Sequence, residues 1–407
     1  MRKCVLFFSF FLILFFLKSC DRASNRVHFT INPEDRKIVI PMRLNDSVTA
    51  NMMFDTGSSL GSFILDHSWL LDHSSCLPED IIPDTVNAGS VWTGIGTPGL
   101  QYNNFHRSVS IGNRNFEYNR LLTYDWKNYA HPMSDGLINI PEKDTTHVWE
   151  LNFANNYVEI HEASRFKMPK DCFLLQMVKY EDNPFPFYIN IPMHLISDDG
   201  DTLTTNYVYE IDLAMPEDIA FWSDERLEFF SNNDNAVWTR SPTPSGYKRY
   251  YTLNATLFED FHVDSLRIYI FNNSYNKYTQ YLIGQNFLKR FNVFFDLKNN
   301  VIGLQPIKNF QRIVNPHQKR FYYMSRPNSA GRHYITFMAD YEENYFIKAG
   351  LQTGDQIVTI NDIPTGEITR EQTYEFYDMD TLVYQIIRDR KPMTIIVPVD
   401  KNHAQGD

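Results

Sequence analysis

The chain has 407 residues, long enough for two or three domains, and its 43% hydrophobic and 15% aromatic content is enough for large cores. Its 49 Asp and Glu outnumber 38 Lys and Arg, for a net charge of -11. That balance excludes nucleic acid as a partner, and there is neither a basic stripe with interleaved aromatics nor a glycine-rich phosphate loop. The 24 Tyr and 31 Phe favour β-structure.

The chain opens with Arg2-Lys3, then an apolar run from Val5 to Leu17 that is too short to span a bilayer comfortably. Leu17-Lys18-Ser19-Cys20 follows and resembles a bacterial lipobox, in which Cys20 is lipidated and becomes the first mature residue. Lys18 departs from the small or apolar residue usual there. An ordinary secretory signal with an incidental Cys20 is the other reading, and the lipoprotein reading is the stronger. The mature chain is then expected in a bacterial cell envelope, on the periplasmic or surface side, anchored to a membrane rather than spanning it. Cys76 and Cys172 remain after cleavage; a disulfide and two free buried thiols both fit. No His/Cys metal spacing and no HExxH are present, so neither metal nor cofactor is expected.

Asp55-Thr56-Gly57-Ser58-Ser59 follows a strand-like run from Val48 to Phe54. One Asp-Thr-Gly occurs by chance, so its weight depends on what the rest of the chain repeats. Ile40-Pro41-Met42 recurs as Ile191-Pro192-Met193, and Val91-Trp92-Thr93 recurs as Val237-Trp238-Thr239. Trp149 to Asn156 aligns with Val293 to Asn300, each an apolar strand running into an Asn-Asn turn and a second strand. The order is kept and the offsets drift only slightly. In this frame Asp212 falls opposite Asp55, each acid following a strand pattern.

These features resemble the clan AA aspartic proteases, retropepsin-like and pepsin-like, over roughly residues 30 to 308. In that family's order each lobe has an opening hairpin, a catalytic Asp, a flap, an apolar pair with Gly beneath the catalytic loop, and a closing hairpin. Gly94-Ile95-Gly96-Thr97 is similar to a retropepsin flap tip, while the second flap region, Trp238 to Gly246, is Pro/Ser-rich. Leu282-Ile283-Gly284 matches the apolar pair with Gly, and Asp135-Gly136-Leu137-Ile138 is a looser match. The resemblance implies a mainly β fold of two pseudo-symmetric acid-protease β-barrel lobes, 21–165 and 166–308, behind a signal peptide of residues 1–20. It implies a catalytic pair, Asp55 and Asp212, with Thr56, Gly57 and Ser58 supporting the loop, acting on peptide or unfolded protein as a monomer. Leu213, Ala214 and Met215-Pro216 depart from the family's Thr, Gly and Ser pair. That departure motivates an alternative, an inactive peptide-binding scaffold, and Asp218 is a second candidate partner for Asp55.

Ala349 to Asp362 resembles the central signature of a PDZ domain, with a short helix ending near Gly350, a turn at Gly354-Asp355, a strand over Ile357–Ile360 and a turn at Asn361-Asp362. The resemblance implies a PDZ-like α+β domain over 309–402. Tyr334 to Phe337 would be its groove strand, Asp380 to Arg388 its groove helix, on the spacing of Leu382, Val383, Ile386 and Ile387, and Met393 to Val399 its last strand. A peptide ligand added as a strand is the partner this implies.

Overall fold

A computed structural model describes residues 26–31, 37–44, 48–58, 63–73, 89–92, 98–102, 107–118, 121–124, 134–141, 144–180, 187–197, 200–215, 217–222, 237–240, 247–258, 260–271, 281–308, 310, 333–334, 345–352, 354–368, 372, 375–376 and 379–398. The fold is mainly β, as the aromatic and β-branched content requires. Among the described residues no helix is long and apolar enough to cross a membrane.

Two sheets share one strand order. In the first, Ile38–Arg43 pairs antiparallel with Thr49–Phe54, which lies parallel to Gly136–Ile138, which pairs with Phe63–Asp66. In the second, Tyr188–Ile196, Thr202–Asp212, Tyr281–Gly284 and Ile219–Trp222 stand in the same relations. The long hairpin Tyr247–Leu257 and Phe261–Phe271 then closes the second sheet by pairing back onto Tyr188–Ile196. In the first sheet shorter strands divide that work: Pro98–Tyr102 and Leu121–Tyr124 on one side, Arg107–Ile111 and Arg114–Tyr118 on the other.

A six-stranded sheet joins the two halves. Its order is Arg26–His28, Tyr157–Glu162, His147–Asn152, Phe291–Asp296, Val301–Pro306, Phe173–Val178. The central pairing of His147–Asn152 with Phe291–Asp296 puts the two closing hairpins side by side across a pseudo-twofold axis. Their turns are built alike. The Asn155 N–H donates to Asn152 Oδ1 at 3.0 Å, and the Asn299 N–H to Asp296 Oδ1 at 3.0 Å. Asn156 and Asn300 both take the left-handed conformation, which Asn tolerates better than most residues. Alternation sends Trp149, Leu151, Val293 and Phe295 to the inner face, in the core shared by both lobes. Val148, Glu150 and Phe294 face outward, under a strap of residues 163–172.

The register corrects the repeat read from the sequence. Val39 pairs with Met53, and Tyr188 pairs with Glu210. Since Met53 and Glu210 each stand two residues before an aspartate, Ile40 is structurally equivalent to Ile189, not Ile191. A slip of two residues keeps every side chain on its own face, so the pattern could not reveal it.

Residues 345–398 form a separate small core around Leu351, Ile357, Ile360, Leu382, Tyr384 and Ile386. The helix Tyr345–Lys348, the strand Gln356–Ile360 and the turn at Asn361-Asp362, both residues at positive φ, lie where the sequence puts them. The expected helix over Asp380–Arg388 is instead a strand, Thr381–Arg388, paired with Gln356–Ile360 on one side and Lys391–Pro398 on the other. Leu382, Tyr384 and Ile386 are buried in strict alternation, so a period of two governs the segment. Apolar Val383 and Ile387 on the other face produced the false helical spacing. Residues 372 and 375–376, just upstream, are helical. Of the expected groove strand, Tyr334 is described, within His333–Tyr334; Ile335 to Phe337 lie outside the described residues.

Candidate active site

Strands Thr49–Phe54 and Thr202–Asp212 run toward each other and end in two facing loops. Phe54, one residue before Asp55, stacks on Trp149 at 6.0 Å and seats the first loop on the inner face of the six-stranded sheet. The loops bring Asp55 and Asp212 together, with their carboxyl groups hydrogen-bonded to each other. Each is also held by its own loop. The Gly57 N–H donates to Asp55 Oδ1 at 2.8 Å; the Ala214 and Met215 N–H groups donate to Asp212 Oδ1 at 2.8 and 3.0 Å.

Thr56, fully buried, ties the loops to each other. Its hydroxyl donates to the Ile211 carbonyl at 2.8 Å and accepts from the Leu213 N–H at 3.1 Å. The bond across the lobes therefore survives with Leu at 213, because Thr56 addresses backbone atoms. Leu213 is buried in the shared core. Gly57 has no Cβ because none would fit: one would lie 2.6 Å from Asp212 Cγ. Close approach, not a left-handed turn, demands this glycine. Ala214 carries its methyl beside Met53, Ile64 and Leu137. The Ser58 hydroxyl donates to the Asp55 carbonyl at 2.9 Å and braces the first loop.

Beneath the loops, Leu137 lies beside Met53 and Leu282 beside Glu210, so Leu137-Ile138-Asn139 is the counterpart of Leu282-Ile283-Gly284. The glycine expected from Asp135-Gly136-Leu137-Ile138 is thus replaced by Asn139. Its amide donates to the Ser58 carbonyl at 2.7 Å and its side-chain oxygen accepts from the Ile140 N–H at 2.7 Å. Gly284 cannot change in the same way, since a Cβ there would come within 2.3 Å of the Glu217 carbonyl.

Burial, reinforced by the charge of Asp212, pushes Asp55 well above the usual carboxylate range. Burial also raises Asp212, against the pull of Lys37 and the N–H groups of Ala214 and Met215. Lys37 was not singled out in the sequence. It sits at the head of Ile38–Arg43, is about nine-tenths buried, and its charge favours the ionised form of both acids. Nothing in its neighbours along the chain marks it; only the fold brings it to the pair.

Asp218, the other candidate partner, belongs to a different structure. It is buried, bonds Arg290 at 2.8 Å and accepts from the Arg267 N–H at 2.9 Å. The flap residues Gly94, Ile95, Gly96 and Thr97, the lipidation candidate Cys20, and Cys76 lie outside the described residues. Cys172 is half-buried, and burial pushes its thiol up to about 12, which leaves little thiolate to act as a nucleophile. Among the described residues Glu150, Glu159 and His161 converge as metal ligands would. His161 and Asn152 already bond Glu150, at 2.7 and 2.8 Å, and Arg26 pairs with Glu159 at 2.6 Å.

No family model matches this chain, and no curated protein matches it. Among solved structures it is similar to the aspartic proteinase from Irpex lacteus, at 13% identity and a TM-score of 0.46, over 70% of this chain and 97% of that one. At that score the likeness carries no argument, and the two-lobed reading stands on the strand registers and the loop geometry.

Proposed function

We propose that this chain is an aspartic-type endopeptidase that hydrolyses extended peptide or unfolded protein between its two lobes. The observation that carries the reading is the pair itself: two acids from two like loops, hydrogen-bonded together, each fixed by main-chain N–H groups. Two carboxyls this close cannot both ionise, so they share a proton and titrate as a unit. Asp212 accepts two main-chain N–H groups and Asp55 one, which favours the charge on Asp212 and the proton on Asp55.

Asp212 then takes a proton from a water held between the pair as that water attacks the scissile carbonyl carbon. Asp55 gives its proton to the carbonyl oxygen, forming a gem-diol with no covalent enzyme intermediate. Collapse breaks the C–N bond: one gem-diol hydroxyl returns its proton to Asp55 as it becomes the carbonyl of the product acid, and the proton gained by Asp212 passes to the leaving amine, which restores the pair. Both acids come from one chain, so a monomer suffices. Residues 309–402 serve as a PDZ-like module that takes a peptide as an added strand, and Cys20 carries the lipid that holds the protein at the cell envelope.

The second reading is a peptide-binding scaffold without turnover, favoured by Leu213 in place of a second Thr. Asp55→Asn separates the two. On a denatured protein at mildly acidic pH, the endopeptidase loses about 1,000-fold or more in kcat/KM. Cleavage by the variant at the wild-type rate overturns the proposal. Wild-type protein that binds peptide stoichiometrically and never cleaves it establishes the scaffold.

A further inference from the structure

The six-stranded sheet has the acid pair on one side and a basic strap on the other. Residues 164–170 read Ser-Arg-Phe-Lys-Met-Pro-Lys, three cations and no acid in a chain of net charge -11. The apolar residues pin the strap down. Phe166 packs on Phe294 and His161, with centroids 5.6 and 4.7 Å apart, and Met168 lies against Gly303. Arg165, Lys167 and Lys170 are left exposed on its outer side. Glu162 bonds both Arg165, at 3.3 Å, and Arg114, at 3.4 Å, so one acid is divided between two cations. The adjacent acid, Asp171, accepts from the Gln305 amide at 3.0 Å. Leu174, 61% exposed, adds an apolar contact just beyond the strap.

Arg26 pairs with Glu159, Val27 with Val158 and His28 with Tyr157, antiparallel. Arg26, the first described residue, is therefore the end of its strand nearer Glu162 and the turn that starts the strap. From Cys20 to Arg26 is six residue steps, a reach of at most about 20 Å.

We propose that the strap is a docking surface for an anionic lipid bilayer, which holds the body against the membrane with the acid pair on the far side of the six-stranded sheet. The tether rests on the lipidation of Cys20; the strap's affinity for lipid does not, and neither depends on the peptidase reading. A lipid chain and a basic patch are two signals that together give stable anchoring where one is marginal.

The test uses vesicles of equal phosphatidylglycerol and phosphatidylcholine and the chain from Asp21 onward, which keeps every described residue. It binds at low salt and is released at high salt. The variant Arg165→Gln/Lys167→Gln/Lys170→Gln, all at exposed positions, keeps its thermal unfolding midpoint and loses about 100-fold in partition, roughly fivefold per cation. Lys391→Gln, in the C-terminal sheet, leaves partition unchanged. On the acylated full chain in the same vesicles, Lys167 and Lys170 are shielded from an amine-reactive label while Lys391 is not. Vesicle binding unmoved by the triple change, no binding at all, or equal labelling of the three lysines overturns the proposal.

Discussion

The two aspartate loops show how much of a symmetric site backbone alone can preserve. The first reads Asp-Thr-Gly-Ser and the second Asp-Leu-Ala-Met. Both hold their carboxylate by an N–H two residues on, at 2.8 Å in each case, and both rest on a parallel apolar strand. What differs is the division of labour between side chains. Thr56 bonds the Ile211 carbonyl and the Leu213 N–H, while Leu213 contributes only buried apolar surface. The first loop does the joining and the second is joined. The second lobe tolerates a degenerate sequence because what the first asks of it are peptide groups, which any residue but proline supplies.

The comparison is broken most severely at Gly57. A methyl there meets the Asp212 carboxyl, whereas Ala214 has room for its own. Gly57→Ala must therefore push the two acids apart, and a displacement of about 1 Å costs about 100-fold in rate. Ala214→Gly is expected to change kcat/KM far less. Equal effects of the two changes on cleavage of a denatured protein would show that the loops are not as unequal as the geometry says.

Thr56→Val keeps the shape and removes the hydroxyl, which strands one buried N–H and one buried carbonyl. The expected loss is about 2–4 kcal/mol, read as a shift in the chemical denaturation midpoint at constant slope. Leu213→Thr offers no matching gain, since it gives up apolar burial for a hydroxyl. A Thr56→Val protein as stable as wild type would mean that the lobes are joined elsewhere.

The acids themselves cost stability, and the sign follows from their direction of shift. Both hold protons in the folded chain above the ordinary carboxylate value of about 4 that they regain on unfolding. From that pH up to the raised folded values the unfolded chain binds fewer protons, so stability falls as pH rises. Asp55→Asn/Asp212→Asn removes this fall. The variant's advantage in melting temperature over wild type is expected to be greatest near neutral pH and to shrink toward about pH 4. An advantage that grows toward acid pH contradicts the raised values.

The two halves were legible in the sequence because their closing hairpins end in the same Asn-Asn turn, and turn chemistry depends on residue type. The meeting of Asp55 with Asp212 followed from that frame. Details governed by period alone were not legible. Ile191 imitates Ile189 because a slip of two leaves every face unchanged. Thr381–Arg388 imitates a helix because both of its faces carry apolar residues. Asn139 hid as well, since only the strand register shows that it, and not Gly136, stands opposite Gly284.

Lys37 was the least legible, and it yields the subtlest test. It stands at the head of Ile38–Arg43, with no counterpart named by the repeat, yet its charge reaches both acids. Among the described residues, the pair is acted on by Lys37 from this strand, by each acid on the other, and by the Gly57, Ala214 and Met215 N–H groups from the loops. Lys37 favours ionised carboxylates, so Lys37→Met lifts both acids further. The acid limb of kcat/KM, which reports ionisation of the free pair, moves to higher pH. Activity at mildly acidic pH drops while the plateau above the limb changes little. Lys37→Arg keeps the cation and is expected to leave the limb nearer its wild-type position. A residue that only packs would give the same limb in all three proteins, so the limb, rather than the rate, decides whether this lysine tunes the pair.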